Sequence, residues 1–434
     1  MRKSFLRTTA LAIVALAPAL AWSAPVEPAA APQGTIGPDV TVYRLPNVTN
    51  HGSSGGIRGY SVATTSCNIG DQPLSWCDSN GGCGIGANGL PTTAKDHPVI
   101  GQNMYRLSNG RFDQIGASWL KHGFLSLNQT AADCGPGTCA STPLGGRQLG
   151  VGCTDPYSAP RNGSRPLGPK SEVNATTGDF PFPHTNVGFS ASWNQRIAVA
   201  ETDLTAAQNP GARYFVEGQY IAPDDAVNGN GLNNASYAEV TVNQSSFSLS
   251  IVGGSGGTVR EKAAIQAWKD IDPDVELFEL DVRENGLVER FHVARKVTQP
   301  SPGVWHYEYA VHNLNSDRSA DQLTINFFSN PSISAEGFHD VNAHSGQDDL
   351  YDTTDWPAAI TANSIDWSAP APQPPATEAN AIRWATMYNF WFDSNYAPTE
   401  ISSHVLGLHK PGTQDDVVFW TGTGVLFADS MEDN

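Results

Sequence analysis

Basic residues are scarce in this chain. Its 434 residues hold 25 Lys and Arg against 43 Asp and Glu, a formal charge of −18. So acidic a surface repels phosphate backbones and anionic headgroups. Nucleic acid is therefore not an expected partner, and an anionic membrane surface is disfavoured. Long apolar runs are missing too. The run from Leu11 to Leu20 falls short of the ~20 residues that cross a bilayer, so no membrane span is expected. Helical periodicity is nearly absent, and no repeat of fixed period occurs. None of the six cysteines forms a C-x-x-C pair, which removes the usual zinc-binding signature.

What is present points outward from the cell. Arg2, Lys3 and Arg7 precede the apolar run, and Ala19-Leu20-Ala21 follows as a small-residue cleavage site. Residues 1–21 read as a secretory signal peptide. Residues 22–37 form an Ala/Pro-rich lead-in. The expected location is secreted: extracellular, or periplasmic if retained. The remainder divides into a Cys-containing, loop-rich β region (38–212), a β-sandwich region (213–425) and an acidic tail (426–434).

All six cysteines lie between Cys67 and Cys153. An even number in an exported chain implies disulfides. Short loop closure favours Cys77–Cys83 and Cys134–Cys139, which leaves Cys67 to pair with Cys153.

With 42 Gly, 30 Pro and 11 Trp, the chain reads as many short strands between turns: a mainly β, antiparallel sandwich with a disulfide-stapled N-terminal half. One short helix is expected near 258–270, where Thr258 and Glu261 make a capping box and Ala264 and Trp268 share a face. "VWHYEYAVHN" alternates, so Trp305, Tyr307, Tyr309 and Val311 face the core. His306, Glu308 and His312 fall on the opposite face, read here as solvated. In "RWATMYNFWFD", Tyr388, Phe390 and Phe392 face the core. Trp391 lies on the other face, as a candidate for stacking on a sugar.

Two constellations suggest metals. "GFHDVNAHSG" carries His339, Asp340 and His344. Imidazole is the commonest transition-metal ligand, so His97 and His122 from the other half would complete a zinc or copper site. "PDDAVNGNG" offers Asp224, Asp225, Asn228 and Asn230 as oxygen ligands for calcium, although the EF-hand pattern fails at Ala226. The candidate cofactor is a divalent metal (Zn, Cu or Ca); the alternative reading is that both stretches are polar loops and turns whose side chains hydrogen-bond the backbone. Two G-x-S-x-G strings, at Gly52 and Gly253, lack the parallel α/β context of a nucleophile elbow and read as connectors.

The strings "TTSCNIG", "HPVIGQNMYRL", "EYAVHNLNSDRS" and "GFHDVNAHSG" together resemble a family of large secreted proteins of environmental bacteria, over roughly Gly37 to Val418. The resemblance implies export and a shared fold, and it carries over no catalytic residues. The reading that follows is a secreted binding or structural protein recognising a polysaccharide or other surface polymer. The alternative is a metal-dependent extracellular enzyme, hydrolytic or oxidative, using the histidines.

Overall fold

The computed structural model describes residues 36–76, 97–122, 124–135, 137–161, 167–180, 191–341, 352–370 and 379–422. The signal peptide, most of the lead-in, Cys77, Cys83, His344, the His122 side chain and the acidic tail lie outside the described residues. The described strands form antiparallel sheets, and the few helices are short.

Four layers of sheet stack on one another. The first contains a four-stranded sheet (Val40–Arg44, Thr64–Asn68, Cys153–Tyr157 and Gln129–Thr130) and a three-stranded one (Val48–Ser54, Ile57–Val62 and Ile197–Ala200). The second is a seven-stranded sheet centred on Val99–Ser108 and Arg213–Ile221. These two central strands come from either side of residue 212, so both halves of the sequence share one sheet. The third layer holds Glu276–Glu284, Leu287–Ser301, Val304–Asn313, Met387–Ser394 and Ile333–His339. The fourth is built around Ala320–Phe327 and Ser402–Leu408.

Strand alternation sorts the residues between layers. On Val99–Ser108, Ile100 and Met104 enter a core shared with Val42, Tyr60 and Val216, between layers one and two. Tyr105 points the other way, joining Phe112, Phe215 and Ala310 between layers two and three. A third core, with Tyr307, Tyr309, Phe390, Phe392 and Trp367, fills the space between layers three and four. The inward faces expected from "VWHYEYAVHN" and "RWATMYNFWFD" are the observed ones. The opposite face is solvated only at His306, whose side chain stays 33% exposed. Glu308 is 5% exposed and His312 is fully buried, because the second layer lies over them.

The disulfides differ from the expected nesting. Cys67 bonds Cys134, and Cys139 bonds Cys153. Loop length alone misled here, because the path of the turns across the strands decides which thiols meet. The strand Cys153–Tyr157 lies between Thr64–Asn68 and Gln129–Thr130. The turn after Thr130 then brings Cys134 beside Cys67, where Gly135 presses against Asn68 and Ile69 in a left-handed conformation (φ +63°). The following loop runs back over Val151, with the Ala140 amide donating to the Val151 carbonyl at 2.9 Å, and delivers Cys139 to Cys153. A non-reduced peptide map is expected to show the 67–134 and 139–153 links. A peptide joining Cys67 to Cys153 would contradict this topology.

The helix is also shorter than expected, Gln266–Ile271. Thr258 and Val259 form a strand against Tyr237 and Ala238, and the Thr258 hydroxyl accepts from the Leu45 amide at 2.9 Å instead of capping. Glu261 adopts φ +57°, which ends any helix there. Ala264 and Trp268 are nevertheless fully buried, as their shared face required.

Candidate functional site

The described residues frame a polar cleft of about 350 Å³ where the second layer crosses the edge of the third. One wall is a hairpin, Val99–Ser108 to Arg111–Ala117, turning at Asn109-Gly110. Asn-Gly suits such a tight turn because both residues accept positive φ, here +52° and +83°. Its register sets Arg106 opposite Asp113 and Ser108 opposite Arg111. The other wall presents His306 and Glu308 from the strand Val304–Asn313, and His339 from the end of Ile333–His339.

Ion pairs fix this lining. Arg111 meets Glu308 with two parallel bonds, Nε to Oε1 at 2.6 Å and Nη2 to Oε2 at 2.9 Å. Arg106 grips Asp113 through Nε and Nη2, and its Nη1 reaches Asp203 at 3.0 Å and Asn209 at 2.6 Å. Fork-to-carboxylate pairs of this kind are among the strongest polar contacts a protein makes. His306 Nδ1 lies 2.7 Å from Asp393, and its Nε2 is 3.4 Å from Glu308. His339 Nε2 stands 3.8 Å from Asp113 Oδ2.

Burial pushes the Asp113 carboxyl above the usual range, although Arg106 beside it pulls the other way. His306 is held above its ordinary value chiefly by its bond to Glu308, then by Asp393, against the opposing effect of burial. Its folded pKa is thus raised, so its stabilising contribution is full below the unfolded value of about 6.5. That contribution is lost as pH rises through the folded value. His306→Gln should therefore destabilise the protein by roughly 0.5–1 kcal/mol at about pH 5.5, discounted for partial exposure, and by almost nothing near pH 9. Urea midpoints across this range measure it. An equal loss at both ends would remove the charge from the account.

Trp391 does not offer a free stacking face. The Arg111 guanidinium lies 3.6 Å over its ring. On the neighbouring strand Gly337 makes room for the indole, and a Cβ there would fall 2.1 Å from Cζ2. Trp391 therefore acts as a support that holds Arg111 against Glu308.

The expected metal ligands are dispersed. His97 is buried against Trp76, its ring nitrogens on the carbonyls of Pro98 at 2.6 Å and Phe124 at 3.3 Å. His339 lies in the cleft, among different residues. Asp340 accepts from Asn380 at 2.6 Å. Among the described residues, no group of three or more His, Cys, Asp and Glu is placed to hold a metal ion.

The residues expected to bind calcium instead clamp the start of the fold. Asp225 accepts from the Val40 amide at 2.8 Å and from Asn234 at 2.7 Å. Asp224 accepts from the Ser75 amide, and Asn228 donates back to the Asp224 carbonyl. Asn230 donates to the carbonyls of Ile36 and Pro38.

A second depression, about 470 Å³, is lined by Phe124, Leu125, Leu127, Tyr157 and Arg161. Asp155, pushed to about 7 by burial, lies on its wall, but its Oδ1 is already taken by the Leu127 amide at 2.8 Å. The first cleft carries the greater density of oriented polar groups. The sequence pattern does not single out Arg106, Arg111 and Asp113, which stand on one of its walls. The available signal was the Asn-Gly turn, whose register pairs Arg106 with Asp113.

No family model matches this chain, and no curated protein matches it. Among solved structures, a collagen-binding domain from a Staphylococcus aureus adhesin aligns at 11% identity over 29% of this chain and 93% of its own, with a TM-score of 0.19. A serine-rich repeat adhesion glycoprotein from Streptococcus agalactiae aligns at 7% identity over 83% of this chain and 88% of its own, with a TM-score of 0.20. At these TM-scores the likeness carries no inference about ligand or activity. Among the described residues, no helix is long and apolar enough to cross a membrane.

Proposed function

We propose that this chain is an extracellular binding protein that recognises a polysaccharide or a related polyhydroxylated surface polymer through the Arg111–Glu308 cleft. The observation that carries this reading is the pre-paired lining. Arg106, Arg111, Asp113, His306 and Glu308 are all anchored before any ligand arrives. Rigid, alternating donors and acceptors suit hydroxyl groups, and their prior pairing lowers the entropy cost of binding. The two disulfides support an oxidising compartment, and the acidic surface supports solubility there.

The test is a glycan array followed by calorimetric titration of any saccharide retained. Arg111→Met and Glu308→Gln should each weaken that binding by about tenfold or more: the first leaves the buried Glu308 carboxylate unpaired, and the second removes the charge that orients the half-buried Arg111. Trp391→Ala should weaken it less, by loosening Arg111. Binding that ignores all three substitutions would place the ligand elsewhere. A stoichiometric metal whose removal abolishes a hydrolytic or oxidative activity would favour the enzymatic alternative.

A further inference from the structure

Away from the cleft, the layer between the second and third sheets contains three polar side chains in an unusual order. Asn103 and Glu217 are direct cross-strand partners on the strands Val99–Ser108 and Arg213–Ile221. Both point into that layer, on the side of Tyr105 and Phe215. Lys170 reaches them from a short turn, Lys170–Glu172. Its side chain passes over Gly101, where a Cβ would lie 3.0 Å from Lys170 Cε. Asn103 is 1% exposed, Glu217 0% and Lys170 7%.

The contacts run in a line. Lys170 Nζ donates to Asn103 Oδ1 in a close contact, and to the Gln102 carbonyl at 3.0 Å. Asn103 Nδ2 donates to Glu217 Oε1 at 2.8 Å. Glu217 is held in place by the Tyr105 hydroxyl at 3.0 Å and the Ala264 amide at 2.7 Å. A buried lysine and glutamate kept for stability alone gain most by touching each other. Here the asparagine amide stands between them. Its carbonyl end faces the amine, and its nitrogen end faces the carboxyl. That is the order of groups needed for an amine to displace ammonia from an amide.

The surroundings favour the required protonation states. Burial lowers the Lys170 amine to about 7, so a neutral nucleophile is populated at ordinary pH. Burial also raises the proton affinity of Glu217, which suits it to carry a proton between two nitrogens.

We propose that Lys170 and Asn103 join in an intramolecular amide crosslink, with Glu217 as the proton shuttle. The neutral Nζ attacks Asn103 Cγ and forms the new C–N bond, while the carbonyl electron pair moves onto Oδ1. Nζ gives one proton to the Glu217 carboxylate. The former amide nitrogen, now tetrahedral and basic, takes that proton. The Cγ–Nδ2 bond then breaks, the carbonyl re-forms and ammonia leaves. Lysine amine and asparagine amide thus yield one secondary amide and one ammonia. Glu217 ends as it began, and no oxidant or co-reactant is consumed. Tyr105 and the Ala264 amide are positioning groups. The bond would tie the segment after Leu167 to a central strand 67 residues earlier, where it resists unfolding in the way a disulfide does.

Intact-mass measurement of the reduced, denatured full chain tests this, together with a tryptic map. The expected wild-type mass is one ammonia below that of its own N-terminal-defined sequence. The map should contain a branched peptide joining the Lys170 and Asn103 segments, with no cleavage after Lys170. Lys170→Arg and Glu217→Gln should both show the full mass and linear peptides. A wild-type protein of full mass, cut after Lys170, overturns the proposal whether or not the variants fold. A branched peptide in Glu217→Gln overturns the shuttle role.

Discussion

Trp268→Ala is expected to lower the unfolding free energy by about 3–5 kcal/mol, the range for truncating a large buried aromatic residue. Trp268 sits on the helix Gln266–Ile271 and is fully buried. It belongs to the core between layers two and three, with Tyr105, Phe112, Phe215, Tyr237 and Leu314. Ala294 and Ala310 line the same core, and such small residues on a facing sheet leave room for an indole. Removing that indole leaves a cavity bordered by two sheets, neither of which can collapse without moving its strands. The indole Nε1 has no hydrogen-bond partner among the described residues. The loss is therefore one of packing and buried area, not of a polar contact. Trp268→Phe keeps most of the volume and deletes an unpaired N–H, so its cost should be nearer ~1–2 kcal/mol. Urea unfolding at unchanged m-value measures both. A Trp268→Ala loss below about 1 kcal/mol would show that the helix does not wedge the two layers together.

Trp268 also shows what the sequence made legible. Its burial followed from its spacing to Ala264, although the helix around it proved only six residues long. Period two was equally reliable for Tyr307, Tyr309, Phe390 and Phe392, all in the expected core. Such periodicity reports which side chains share a face. It does not report what covers that face. His312 and Glu308 looked solvated because polar residues usually are, yet a second sheet closes over them. The same limit governed the cysteines. Loop closure ranks pairs by chain length, whereas Cys67 meets Cys134 because the turn after Thr130 carries Cys134 back to Asn68 and Ile69. The capping box failed because a sheet edge competed for Thr258. At the cleft, His339 was visible only as a candidate metal ligand. Its neighbours Arg106 and Asp113 come from a hairpin more than two hundred residues earlier. No local pattern encodes that approach.

Asp225→Ala is the second substitution expected to have a large effect, about 2–4 kcal/mol, because it leaves the buried Val40 amide and the Asn234 side chain without their acceptor. Asp225 is fully buried and joins the Asp224–Asn234 clamp to the first strand. Its carboxyl is pushed well above the usual range, first by burial and then by the nearby Asp39. The folded protein therefore binds this proton more tightly than the unfolded chain. The group is most favourable below the unfolded value of about 3.9, and that advantage is lost as pH rises through the folded value. Asp225→Asn removes the titration and keeps an acceptor for Val40. The Asn234 side chain can rotate to offer its Oδ1, which has no hydrogen-bond partner among the described residues, to the new amide nitrogen. Asp225→Asn should therefore gain stability over wild type as pH rises from acid to neutral, while Asp225→Ala stays below wild type throughout. The same denaturation series with and without chelator separates a hydrogen-bonded clamp from a calcium site. The clamp predicts wild-type midpoints that ignore the chelator. A chelator-dependent fall in wild type that disappears in Asp225→Asn would mean that Asp224, Asp225, Asn228 and Asn230 hold an ion after all.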